Sequence, residues 1–346
     1  MPQSEGSRVT IHDVARAAGV SRQTVSNTVN NPERVSPDTL DRVRAAIADL
    51  GYHPSSSAKS LRSRRAGAIG LELHTLGTHN ATTAPVLTAL SIRAAYHDAH
   101  LVPFGSAEGT PMLEGYKAMW AGRLVDAFIV AETHHGDPRP PWLEARGIPY
   151  ASFGRVWDDP TFTRWVDVDG AAGTRVAVEH CIDAGYRTIA YLGWPQGSVV
   201  GDDRRSGWVA ACDAAGTASS PVHGPEAVAE QDLDAAIAAA GPLVDLLSPG
   251  DAVVCASDVL ALGVHQVLVR RGLEPGRDIG VVGFDGSETA AMHHLSSVAQ
   301  PFDAIAEESL RLVRAALRGE PAPTAGSLLL PALTRARSTR LHRKEP

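Results

Sequence analysis

Residues 10–30 read T-I-H-D-V-A-R-A-A-G-V-S-R-Q-T-V-S-N-T-V-N, and this order decides the architecture of the N-terminal part. Ile11, Val14, Ala15 and Ala18 recur at i, i+3, i+4 and i+7, the spacing of one apolar helix face. Thr10 is placed to cap that helix, with Asp13 near the positive end of its dipole. Gly19 can take positive φ and ends it. Ser21 caps the next helix, so two helices are joined by the short turn A-G-V-S. At roughly 100° per residue, Arg22, Ser26, Asn30, Gln23 and Asn27 share one arc of the second helix, while Val25 and Val29 face inward. Arg, Gln and Asn side chains displayed together suit the edges of guanine and adenine in a major groove. The short hydroxyls of Thr10, Ser21, Thr24 and Ser26 suit phosphate contacts.

A third helix is expected from Ser36-Pro37, a cap followed by proline at the first helical position. Leu40, Val43, Ile47 and Leu50 form its apolar face, and Gly51 stops it. Charge follows the same division. Residues 1–65 carry ten Lys/Arg and six Asp/Glu, whereas the whole chain of 346 residues has a net charge of −7. A basic head on an acidic body suits a polyanion partner bound at the head.

This pattern, continued by V-S-P-D-T and L-G-Y-H-P, resembles the DNA-binding head of the LacI/GalR family of bacterial transcription regulators. The resemblance implies that Arg22, Gln23 and Asn27 read bases and that Tyr52 and Asn30 belong to the DNA-facing set. Many members carry Arg at the position of Asn27, so the outer guanine that Arg usually reads is expected to differ here. Residues 54–65, P-S-S-S-A-K-S-L-R-S-R-R, have the composition of a flexible basic linker. In the family this stretch folds into a hinge helix on DNA, and a leucine from each copy wedges between base steps in the minor groove. Leu61 matches that wedge, with Ala58, Lys59 and Arg62 around it.

From residue 67 onward, apolar strand-like runs alternate with helical patterns: G-A-I-G-L-E-L, H-L-V-P-F-G, V-D-A-F-I-V-A, I-P-Y-A-S-F-G, W-V-D-V-D, T-I-A-Y-L-G, A-V-V-C-A-S, I-G-V-V-G-F-D and S-S-V-A-Q. Such alternation predicts parallel sheets covered by helices. About 280 residues predict two such lobes, with a ligand cleft between them. The body resembles the periplasmic-binding-protein-like (type I) effector domain of the same family. The expected fold is therefore an all-α helix-turn-helix head plus a two-lobed α/β effector domain. The expected boundaries are a head at 8–53, a hinge at 54–65 and a body at 66–335. Within the body, an N-lobe is expected at about 66–156 and 286–299, and a C-lobe at about 157–285 and 300–335.

By resemblance, Arg204 in D-D-R-R-S-G-W clamps ligand hydroxyls, and Asp285 in V-V-G-F-D-G binds sugar. Ser257 and Asp258 stand where the family usually has Asn-Asp, and Ser257 is a departure. Gln300 and Phe302, in V-A-Q-P-F, lie at the last crossing between lobes. Arg155, in F-G-R, sits at a strand end facing the cleft. Arg204 and Asp285 are both expected at strand or loop positions. Asp accepts two hydroxyl hydrogen bonds, Arg donates in a fixed fork, and aromatic rings cover sugar C–H faces. Trp165, Phe302, Trp157 and Trp194 are the candidates for that cover. F-G-R ahead of W-V-D-V-D-G resembles members that sense maltose or other glucosides.

Other functions find little support. Hydrophobic residues make up 44% and charged residues 21%, so wholesale disorder is excluded. No apolar run is long enough to span a bilayer, and the polar start M-P-Q-S-E-G-S-R-V-T lacks the apolar core of a secretory signal, so a cytoplasmic protein is expected. Cys181, Cys212 and Cys255 form no metal or disulfide pattern and read as small buried hydrophobes. The pairs His134-His135 and His293-His294 lack partners for a metal site. Neither a nucleophile–base constellation nor a P-loop is present, so no enzyme and no cofactor are expected. A sugar-binding transport receptor shares the body fold but not the head. The expected partners are pseudo-palindromic operator DNA, a small-molecule effector such as a sugar, and a second copy of the chain. A homodimer is favoured because no leucine heptad tail follows L-L-L-P-A-L-T-R-A-R-S-T-R.

Overall fold

The computed structural model describes residues 9–52, 65–73, 82–105, 109–216 and 222–340. The chain divides into two units, Met1–Ala66 and Gly67–Pro346. Ala58, Lys59, Leu61 and Arg62 lie outside the described residues.

In the first unit, helices α1 (Ile11–Ala18), α2 (Arg22–Asn30) and α3 (Pro37–Leu50) enclose a small core of Val14, Ala15, Ala18, Val25, Val43 and Ala46. Half of this core is alanine, so the helices can approach closely and Val25 can fill the space between them. Gly19, at φ 63°, ends α1 in the left-handed region, where an L side chain would be strained. One expectation fails here. Val29 is 39% exposed, and Thr28 takes the inward place. Thr28 lies on the far side of Val25 on the helical wheel and donates from Oγ1 to the Thr24 carbonyl at 3.0 Å. Its hydroxyl is thereby satisfied in the core.

The second unit contains two six-stranded sheets. The first is formed by β1 (Ala68–Glu72), β2 (His100–Phe104), β3 (Ala127–Ala131), β4 (Tyr150–Phe153), β5 (Trp165–Val168) and β11 (Ser327–Leu329), in the order β11-β5-β4-β3-β1-β2. All its pairings are parallel. Helices α4 (Thr83–Ala95), α5 (Leu113–Ala121), α6 (Arg139–Glu144) and α12 (Phe302–Leu317) accompany it. The second sheet is formed by β6 (Ile189–Gly193), β7 (His223–Val228), β8 (Asp251–Cys255), β9 (Ile279–Asp285), β10 (Ser296–Ala299) and β12 (Ala332–Thr334), in the order β12-β10-β9-β8-β6-β7. It is parallel except for β12, which runs antiparallel to β10. Its helices are α7 (Gly170–Ala184), α8 (Val199–Ala215), α9 (Leu233–Asp245), α10 (Asp258–Arg270) and α11 (Glu288–Met292). Among the described residues, no helix is long and apolar enough to cross a membrane.

The sheets redraw the expected lobe boundaries. W-V-D-V-D does not open the second lobe, because β5 pairs with β4 through Ser152↔Trp165 and Phe153↔Val166. Residues 286–299 belong to the second lobe, because β10 continues the β9 ladder through Ala299↔Asp285. The helix after residue 300 returns to the first lobe. Ala306, Leu310, Leu312 and Val313 of α12 join Ile69, Leu90 and Ile129 in the first core. Each of these Leu, Val or Ile side chains fully buried contributes roughly 1.5–3 kcal/mol, and that gain decides where α12 packs. The chain crosses between lobes after β5, after β10 and between β11 and β12.

Candidate functional site

The polar face of α2 is built by local bonds. Thr10 donates from N and Oγ1 to Asp13 Oδ2, at 3.0 and 2.6 Å, which fixes the start of α1. These bonds hold the Asp13 carboxyl below its usual range. Ser21 Oγ accepts from Thr24 N at 3.0 Å and lies 2.9 Å from Thr24 Oγ1. Gln23 Nε2 donates to Asn27 Oδ1 at 3.1 Å, so the two amides stand side by side on the outer face. Asn30 Nδ2 donates back to the Ser26 carbonyl at 2.6 Å. Arg22 and Gln23 are exposed, and Asn27 and Ser26 are half-buried. Tyr52 is half-buried against the head core. The α2 surface therefore offers one guanidinium and a coupled pair of amides, with short hydroxyls beside them.

The second site lies between the two lobes. A cleft of about 780 Å³ is walled by residues from both sheets, including Arg204, Asp285, Gln300, Trp157 and Trp194. Its size falls within the roughly 300–1,000 Å³ typical of small-molecule sites. Asp285 ends β9, and its φ of 119° is rare for a side-chain-bearing residue, a conformation that costs of order 1–3 kcal/mol and clusters at functional sites. Gln300 Nε2 donates to Asp285 Oδ1 at 2.8 Å, and Arg204 Nη1 lies 3.4 Å from the same oxygen. Arg204 Nη1 also donates to the Ala256 carbonyl at 2.5 Å, while its Nε is buried without a partner. Burial pushes the Asp285 carboxyl up to about 6, against the pull of Arg204 and with a further push from Asp258.

Arg204 sits within α8 and not at a strand end or loop, in contrast to the sequence expectation. The helix enters the cleft wall, so a helical residue reaches the ligand space. Five other expected ligand residues do not line the cleft, Arg155 among them. Ser257 is fully buried, caps α10 at Leu260 N (3.3 Å) and donates to Gln231 Oε1 at 2.7 Å. Asp258 is also buried, accepting from Ser297 Oγ at 2.6 Å and Ser287 N at 2.7 Å. It anchors the turn after Asp285 and does not line the cleft. Trp165 Nε1 donates to the Phe162 carbonyl at 2.9 Å, and its ring packs over Gly326 at the edge of the first sheet. Phe302 packs against both hydrophobic cores and lines a neighbouring cavity that shares Asp285 and Gln300 with the cleft.

Arg155 acts one step behind the wall. Its guanidinium stacks on Trp157 at 3.8 Å and binds Asp167 at 3.0 Å and Asp203 at 3.5 Å. It thus presents Trp157 to the cleft. The preceding Gly154 is required by geometry, because φ is 113° and a Cβ would lie 2.5 Å from Thr133 Oγ1. Sequence reasoning missed Gln231, Glu132, Glu230, Asp167 and His134 in the wall. Gln231 joins two other site residues, accepting from Trp194 Nε1 and Ser257 Oγ, each at 2.7 Å. It follows a strand on an edge without motif or periodicity, so nothing in its neighbourhood marks it. Asp167, in W-V-D-V-D, was legible as a charged residue inside an apolar strand. The three cysteines are buried and free.

The model of bacterial regulatory proteins of the lacI family matches residues 10–55, and that of the periplasmic binding protein-like domain matches residues 178–339. The HTH-type transcriptional regulator CelR of Thermobifida fusca is 33% identical over 327 residues, covering 90% of this chain and 93% of that protein. A solved transcriptional regulator CelR–cellobiose complex superposes with a TM-score of 0.68 at 29% identity, covering 96% of this chain and 100% of that one. The lac repressor dimer bound to operator and the anti-inducer ONPF gives a TM-score of 0.75 at 26% identity, covering 96% and 99%. With a helix-turn-helix head and a two-lobed α/β body matched along nearly its whole length, the chain belongs to the LacI family of DNA-binding transcriptional regulators.

Proposed function

We propose that this regulator is a repressor of sugar-utilisation genes whose operator affinity is set by a sugar bound between the lobes. The observation that carries the reading is the Arg204–Asp285–Gln300 cluster, bridged by hydrogen bonds and flanked by Trp157 and Trp194 in one cleft. A polyol can donate to the carboxylate, accept from the guanidinium and amide, and lay its C–H faces on the indoles. The cellobiose held by the CelR structure supports a glucoside-type effector.

In this mechanism two copies bind a pseudo-palindromic operator, one head per half-site, as the dimeric lac repressor on operator suggests. Arg22, Gln23 and Asn27 read base edges, and Thr10, Ser21, Thr24 and Ser26 contact phosphates. The linker with Ala58, Lys59, Leu61 and Arg62 orders in the minor groove, Leu61 being the wedge. Sugar closes the lobes, changes the contacts between copies and releases the linkers. A differential affinity of only a few kcal/mol between the two states is sufficient.

Fluorescence anisotropy on duplexes tiled from the DNA flanking the gene, with random duplex as competitor, tests this reading. Selective binding relieved by one sugar of a mono- and oligosaccharide panel is the expected result. Selective binding that no sugar alters would remove the sugar from the proposal. Binding that a sugar strengthens would reverse the sign and make the sugar a corepressor.

A further inference from the structure

Resting on the reading of the cleft as a sugar site, we infer that its effector is an uncharged sugar and that uronates and sugar phosphates are rejected. Among the described residues, the wall of the cleft carries four carboxylates, Glu132, Asp167, Glu230 and Asp285, against Arg204 and His134, with Arg155 paired to Asp167 behind it. Anion recognition needs a guanidinium fork or an ammonium free to meet the ligand. Among the described residues, neither nearby arginine offers an open fork. Arg204 is 5% exposed, gives Nη1 to the Ala256 carbonyl and Asp285, and lies over the Phe284 ring at 3.7 Å. Arg155 is held by Asp167 and Asp203 and stacked on Trp157. A ligand carboxylate or phosphate would have to displace one of these internal carboxylates, or else lose its hydration beside like charge with no fork to receive it.

An uncharged polyol meets the opposite situation. Its hydroxyls donate, and the excess carboxylates accept. The partnerless Nε of Arg204 is a single donor that one hydroxyl oxygen satisfies. Burial, with a smaller push from Asp258 and against the pull of Arg204, keeps Asp285 protonated to higher pH than an ordinary aspartate.

The test is calorimetric titration of the full-length protein with three ligands in each of the cellobiose and maltose series. These are the disaccharide, its C6 carboxylate, and the methyl ester of that carboxylate, which has the bulk without the charge. The disaccharide of one series should bind, the carboxylate should bind at least about tenfold more weakly, and the ester should recover most of the loss. The gap should narrow between low and high salt, because screening shortens the reach of the wall charges. A Glu132→Gln/Glu230→Gln variant, altered at two exposed positions, should narrow it without salt. A carboxylate that binds as tightly as its parent overturns the inference, and so does an ester as weak as the acid. A gap unchanged in the double variant removes the assignment to these carboxylates. If no member of either series binds, the sugar reading itself fails, a result distinct from the others.

Discussion

Asp285 gathers several constraints at a single residue. It ends a buried strand, holds φ at 119°, accepts from Gln300 and pairs with Arg204. Its carboxyl is raised to about 6, mainly because burial penalises the charged form. Sugar hydroxyls donate to the ionised carboxylate, so binding favours ionisation. Affinity should therefore be full at pH 7.5 and fall as pH drops through about 6, by up to roughly tenfold per pH unit. Calorimetry between pH 5 and 8 reads this, and Asp285→Asn should remove the step. Stability has the opposite sign. Between about 3.8 and 6 the folded chain keeps a proton that the unfolded chain loses, so the residue's contribution falls as pH rises through that window. Arg204 and Asp285 were legible in the sequence through motif position. Asp258 carried the same kind of signal yet turns inward, because Ser297 and the Ser287 amide claim both of its oxygens.

Helices show where sequence patterns suffice and where they fall short. The bounds of α2 follow from the Ser21 cap and the period of its apolar residues, but the wheel alone placed Val29 inward. The choice between Val29 and Thr28 depends on where α1 and α3 sit, which the α2 sequence does not contain. Helix α8 carries Arg204 and packs on α7 through Gly207. A Cβ there would lie 2.1 Å from the Ala171 carbonyl oxygen, which is backbone and cannot swing aside. Gly207→Ala should therefore push the two helices apart, costing roughly 1–3 kcal/mol by overpacking. Urea denaturation followed by tryptophan fluorescence would show a lower midpoint. Sugar affinity should fall with it, since Arg204 moves with α8. An unchanged midpoint would mean that the helix pair absorbs the methyl without strain.

At the scale of the whole molecule, effector and operator are linked by one free energy. If sugar weakens operator binding by a given factor, operator must weaken sugar binding by the same factor. Titrating sugar into free protein and into the protein–operator complex should give equal ratios, on the order of 10-fold. Unequal ratios would mean that the sugar acts at a second site or on another assembly state. The sequence by itself determined the helical head and the alternation of strands and helices. These are local properties, written in caps, periods of 3.6 and short apolar runs. Only the tertiary structure decided which lobe each segment joins, that α8 rather than a loop delivers Arg204, and that Gln231 and Glu132 share the cleft with Asp285. Strand ladders and buried area set those outcomes between segments far apart in the chain. Nothing in β5, β10 or α12 alone tells which of two similar sheets will offer the better partner.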